Sequence, residues 1–184
     1  MPRFVAAFMA SLTGFLVACS GEPETGVESG AVVTLYGEIG EANRGALDPE
    51  TEPLFTTFGL EMERGFAVSR SQLARLEQHS LRVDYPSEGA WREFRGPLLR
   101  DVLALAVPGG EGVVVTALDG YQREIALERV RDHDVILATH MNGEPLPMGG
   151  FGPAMLVWPR QSDPALAGMS DDDWLWGVIA IELR

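Results

Sequence analysis

The chain has 184 residues, 27 of them acidic and 14 basic, for a formal net charge of −13. That balance argues against nucleic acid as a partner, because phosphates demand clustered cations. All 14 basic residues are arginine, and a single cysteine rules out an internal disulfide framework, so packing alone must hold the fold.

Met1-Pro2-Arg3 is a short basic leader, and Phe4 to Ala18 is an uncharged, mainly apolar run. It is shorter than the ~20 residues a helix needs to cross a bilayer core. The run therefore reads as the hydrophobic part of an export signal, residues 1–18. Leu16-Val17-Ala18-Cys19 resembles the lipobox of bacterial lipoproteins, which makes Cys19 the expected lipid-attachment site. An ordinary signal cut near Ala18, with Cys19 left as a free thiol, is the alternative. Ser20 in place of an aspartate implies an outer-membrane anchor facing the periplasm. Residues 19–30, rich in Gly, Glu and Ser, form the expected flexible tether, and residues 31–184 the single domain.

Ala31 to Tyr36 is a β-branched and aromatic run that predicts a strand, and Glu41 to Pro53 reads as a loop. Phe66 to Val68 is a short extended piece. Ser69 or Ser71 is positioned to cap a helix through Leu73, Leu76 and His79. Leu81 to Tyr85 alternates as a half-buried strand does, and Trp91 to Phe94 follows the same pattern more weakly. Gly96-Pro97 opens a helix over Leu98 to Leu105, with proline in its first turn. Val113 to Leu118 and Tyr121 to Leu127 predict a hairpin around Asp119-Gly120. Val135 to Thr139 is a further strand, Asn142-Gly143 a turn, Ala154 to Trp158 another strand, and Trp176 to Leu183 the last. Many short strands and few helices give an α+β domain with mixed, mostly antiparallel sheets and a few short helices.

From Gly96 onward the motifs resemble a known family. Gly96-Pro97-Leu98-Leu99-Arg100-Asp101-Val102-Leu103, then Ala117-Leu118-Asp119-Gly120-Tyr121, Asn142-Gly143-Glu144-Pro145-Leu146 and Gly152-Pro153 stand in the order of the oxidoreductase molybdopterin-binding domain of the sulfite-oxidase fold. Trp174-Leu175-Trp176 and Ile181-Glu182-Leu183 resemble its small periplasmic subgroup. The resemblance implies a sulfite-oxidase-like molybdopterin-binding fold. It also implies that catalytic members hold molybdenum through a cysteine thiolate in the segment matching Leu81 to Gly96. Here that segment has no cysteine, and Asp84 or Tyr85 falls nearest the ligand position; a hard carboxylate or phenolate replaces a soft thiolate poorly. Met148-Gly149-Gly150-Phe151 stands where relatives carry His or charged residues.

Other chemistry finds little support. His79, His133 and His140 lack the close spacing of metal ligands, and His133 beside Asp134 reads as a loop pair. Asp171-Asp172-Asp173 lacks the calcium-loop pattern and reads as a solvated helix or turn entry. Trp174 and Trp176, two apart, would share one face of a strand and either clamp a flat ring or close the core, with Trp176 the more expected core residue of the two. Tyr85, Arg82, Arg92, Arg95 and Arg160, with the backbone of Gly149 and Gly150, are the expected companions for an anionic or flat ligand. The expectation is a periplasmic lipoprotein that binds a pterin without molybdenum, or a similar flat molecule, and relays it to a membrane signalling protein. No catalytic residue and no metal ligand is assigned. A molybdopterin-dependent oxidoreductase and a ligand-free scaffold are the alternatives.

Overall fold

The computed structural model describes Met1 and residues 30–184; Cys19, the export signal and nearly all of the tether lie outside the described residues. In chain order the elements begin with β1 (Ala31–Gly37), β2 (Arg44–Gly45), α1 (Pro53–Thr57), β3 (Arg64–Ser69), α2 (Arg70–Arg75), β4 (His79–Asp84) and β5 (Trp91–Gly96). They continue with α3 (Leu99–Ala104), β6 (Gly112–Ala117), β7 (Gln122–Ala126), α4 (Leu127–Asp132) and β8 (Ile136–Ala138). The last are β9 (His140–Met141), β10 (Glu144–Pro145), β11 (Met155–Val157) and β12 (Val178–Leu183).

A six-stranded sheet runs β2-β3-β1-β12-β6-β7, a four-stranded sheet β10-β9-β5-β4, and β11 pairs with β8 alone. Every pairing is antiparallel except β1 with β12, which joins the first strand to the last. The fold is thus α+β with mostly antiparallel sheets, as the sequence predicts. β1 is buried from Val32 to Tyr36 because both faces are covered. The main core packs Val33, Leu35 and Ile181 against Leu99, Val102 and Leu103 of α3. A smaller cluster of Tyr36, Leu60 and Ile179 is covered by Phe55 and Phe58 around α1. A long buried strand therefore reads as a continuous apolar run.

Several boundaries differ from expectation. α2 stops at Arg75 because Leu76 is extended, and the Gln78 amide donates to the carbonyls of Leu73 and Leu76 at 2.9 Å; His79 opens β4 instead. The start of α2 follows the prediction: Ser69 and Gln72 form a reciprocal capping box. Pro97 lies before the N-cap Leu98, in an extended link that pairs with β8, so it is not in the first turn of α3. Gly96 is needed there, since a Cβ would meet the Leu137 carbonyl oxygen at 2.1 Å. Leu127, expected in the hairpin, begins α4, and the expected loop at 41–53 contains β2. Among the described residues no helix is long and apolar enough to cross a membrane.

Candidate functional site

The end of β4, the chain after β11 and the turn before β12 converge on one aromatic and ionic assembly. Tyr85 is buried, stacked on Trp174 with ring centroids 5.3 Å apart and planes 12° from parallel. Phe151 meets the same phenol edge-on at 5.6 Å. The Arg160 guanidinium lies over the Trp174 ring at 4.6 Å, and Trp174 is only 2% exposed. Arg160 is itself buried and donates to the Asp84 carboxylate at 3.2 Å and to Asp171 at 2.5 Å. The other Asp171 oxygen accepts the Ser87 N–H at 2.7 Å. Burial pushes the Asp84 carboxyl up, but the Glu88 N–H and Arg160 outweigh it and hold it below the usual aspartate range. Burial and then the charge of Asp171 push the Tyr85 phenol up.

The aspartate run is a helix entry, as the sequence predicts, but it is not solvated throughout. It forms a short 3-10 turn, Asp171–Asp173, whose N-cap is Ser170. Asp173 is buried and accepts from Arg123 at 2.6 Å and from Arg129. Its backbone carbonyl accepts the Trp158 indole N–H at 2.8 Å. Asp171 and Asp173 thus anchor the turn from both sides, while Asp172 is exposed.

Beside this assembly opens a cavity of about 340 Å³, edged by Tyr85, Asp119, Tyr121, Asp172, Trp174 and Trp176. Tyr121 is 47% exposed and Trp176 40% exposed, so both rings are accessible to a ligand. Trp174 and Trp176 do not share a strand face as expected: both precede β12, and one is buried while the other is open. The Trp174 indole nitrogen is buried with no hydrogen-bond partner among the described residues. Tyr121, Asp119 and Asp172 carry no ligand signal in the sequence. Asp119-Gly120-Tyr121 marks a hairpin tip in the sequence, but nothing there says the tip faces a turn some 50 residues later.

The structure brings Tyr85, Trp174, Trp176 and Arg160 together, holds Arg92 beside them through the Tyr85 backbone alone, and separates Arg82, Arg95, Gly149 and Gly150 from the cavity. Arg82 lies 5.6 Å over the Trp91 ring, and Arg92 donates to the Tyr85 carbonyl. Arg95 faces a different, smaller cavity. Gly149 and Gly150 are exposed, but the N–H groups of Gly150 and Gly152 are spent on the Pro147 carbonyl, at 3.1 and 3.0 Å. Arg160 is committed to carboxylates and is not a free anion donor. His133 pairs with Asp163 at 2.5 Å rather than with Asp134, which instead accepts from Arg100 at 2.9 Å.

The resemblance implies a molybdenum-pterin group, and the donors present do not fit it. At the position nearest the expected thiolate stand Asp84, held by Arg160 and Gln161, and Tyr85, packed between aromatic rings. A cofactor phosphate would meet Asp119, Asp171 and Asp172 at the cavity, with its one nearby buried arginine already paired. Among the described residues no three His, Cys, Asp or Glu side chains are grouped to hold a metal.

Comparison with known proteins agrees with the fold. No curated protein matches the sequence. Among solved structures, the sulfane dehydrogenase SoxCD from Paracoccus pantotrophus aligns with a TM-score of 0.56 at 18% identity. The alignment covers 83% of this chain and 38% of that one, a likeness of the sulfite-oxidase-like fold. The family model of the oxidoreductase molybdopterin binding domain matches residues 57–163, more than half of the sequence. By that match, spanning β3 through β11 and the Asp119-Gly120 hairpin tip at the cavity, the chain belongs to the oxidoreductase molybdopterin binding domain family.

Proposed function

We propose that this protein is a non-catalytic, membrane-tethered binding module. It holds a pterin or similar flat ring in the cavity edged by Trp176 and Tyr121, and passes the bound state to a membrane signalling protein. The observation that carries this reading is the contrast between two adjoining places. The position nearest the family's metal ligand is a closed stack of Tyr85, Trp174 and Arg160. The neighbouring cavity is open, with two exposed aromatic rings and carboxylates at its edge. Aromatic faces stack on flat heterocycles, and carboxylates accept from the amino and ring N–H groups of a pterin's pyrimidine edge. The lipobox at Leu16 to Cys19 supports a lipid tether in the periplasm, on the outer membrane.

The test is to purify the full chain and measure molybdenum content and pterin fluorescence in the same sample. Pterin without metal supports the module. Stoichiometric molybdenum overturns it in favour of a molybdopterin-dependent oxidoreductase, and the absence of both favours a ligand-free scaffold. Cys19→Ser should abolish lipid attachment and release the protein from the membrane fraction.

A further inference from the structure

A second cavity lies at the other end of the four-stranded sheet. Arg95 on β5 stands directly across from His140 on β9, and Arg70 is the first residue of α2. Together with Gln78 and Thr139 they line a cavity of about 80 Å³. A water needs only about 10–15 Å³ of such space, so an anion of several heavy atoms can enter.

The cavity gathers positive charge. Arg44, Arg100, Arg123, Arg129, Arg160 and Arg184 each hold a carboxylate. Among the described residues Arg64, Arg70, Arg75, Arg82, Arg92, Arg95 and Arg131 hold none, and of these Arg70 and Arg95 line one cavity together with His140. Like charges directly opposite across a strand pair repel. Burial, then Arg95 and Arg70, push the His140 imidazole pKa down. The charged groups facing that ring are Arg70 from α2, Arg95 from β5 and, in the opposing sense, Glu144 from β10. Thr139 Oγ1 meets His140 Nδ1 at 2.9 Å, which leaves Nε2 for a ligand. Two guanidinium forks and an imidazole around a small cavity match the oxygens of a tetrahedral anion.

We propose that Arg70, Arg95 and His140 bind a small oxyanion of the phosphate or sulfate class, free in solution or as the end group of an anionic lipid. The site is separate from the aromatic cavity and stands or falls independently of it.

The test uses the imidazole NMR signals of the full chain, with His140 assigned through His140→Gln. Phosphate and sulfate are titrated at constant ionic strength against chloride. The expected result is a saturable shift of the His140 signals and a titration midpoint that moves to higher pH. Arg70→Gln and Arg95→Gln should each weaken binding roughly tenfold, the loss of one charge-assisted hydrogen bond. Arg75→Gln, on the same helix but off the cavity, should not change it. If a Gln variant fails to fold, Arg70→Lys and Arg95→Lys retain the charge while losing the fork. A second arm compares vesicles of phosphatidylglycerol with phosphatidylcholine. A response to the free ions identifies a soluble anion, and a response to phosphatidylglycerol alone identifies a headgroup; both support the site. No response in either arm, or one that survives both arginine substitutions, overturns it.

Discussion

Replacing Trp174 and Trp176 separately by alanine distinguishes a packing indole from a binding one. Trp174 is 2% exposed, stacks on Tyr85 at 5.3 Å and carries Arg160 at 4.6 Å. Truncating a core tryptophan costs about 3–5 kcal/mol. Stacking adds about 0.5–1.5 kcal/mol beyond area burial and a desolvated cation–π contact about 2, so the upper part of that range applies, about 4–5 kcal/mol. For a domain of this size each kcal/mol lowers Tm by about 2–4 °C, giving a drop of about 8–20 °C for Trp174→Ala. Trp176 is 40% exposed, and surface truncations usually change stability by less than about 0.5 kcal/mol. Trp176→Ala should therefore keep its Tm within about 2 °C while losing pterin retention. Thermal unfolding by circular dichroism, with pterin fluorescence on the same samples, reads both effects. A Trp174→Ala protein as stable as wild type, or a Trp176→Ala protein that keeps its pterin, refutes the division of roles.

Three further outcomes follow from the same contacts. Asp173→Asn removes the charge that Arg123 and Arg129 share; a broken buried pair costs about 3–5 kcal/mol, but both arginines are about a third or more exposed, so about 2 kcal/mol and a Tm drop of about 4–8 °C are expected. Burial, then Glu182, pushes the Tyr36 phenol up to about 12 from 10.0. The folded state thus holds this proton longer than the unfolded one, and the associated stability is full below pH 10 and lost as pH rises toward about 12. Phenolate absorbance should show this tyrosine titrating late, and Tyr36→Phe should remove its share of the alkaline loss. Asn142→Ala places a Cβ residue without a local side-chain bond at φ 51° and deletes the acceptor of the Glu93 N–H, 3.0 Å away, so denaturant titration should show a loss of about 1–2 kcal/mol.

Local pattern made most of the fold legible, and long-range pairing hid much of the site. Val113 to Leu118, Asp119-Gly120 and the strand after it announce a hairpin because turn chemistry and alternation are local. Nothing local reveals that β1 pairs in parallel with β12, about 145 residues later, since both are simply apolar runs. α4 was hidden because Leu127 and Val130 give only one helical repeat, too short to set a period. The spacing of Trp174 and Trp176 reads as a strand face, but the backbone turns at Trp174 and passes through Gly177 at φ 68° before β12 begins, so the spacing of two does not put them on one face. Arg160 looked like a free cation because its partners, Asp84 and Asp171, are brought to it only by the tertiary fold.

Restoring a thiol at position 85 would not rebuild a molybdenum site, because the misfit is spread over independent features. Tyr85 fills space between Trp174 and Phe151. Tyr85→Cys would leave a void there and remove the stack, a loss of roughly 3 kcal/mol by the usual cost of truncating a core aromatic. Arg160 would remain locked to Asp84 and Asp171, and so would offer nothing to a cofactor phosphate. The carboxylates of Asp119 and Asp172 would still repel that phosphate, and the N–H groups of Gly150 and Gly152 would still point to Pro147. The expected Tyr85→Cys protein therefore has a lower Tm and no molybdenum after expression with an ample metal supply. Stoichiometric metal in this single variant would show that the thiolate alone separates this chain from the catalytic members of its family, and that the surrounding charges are no barrier.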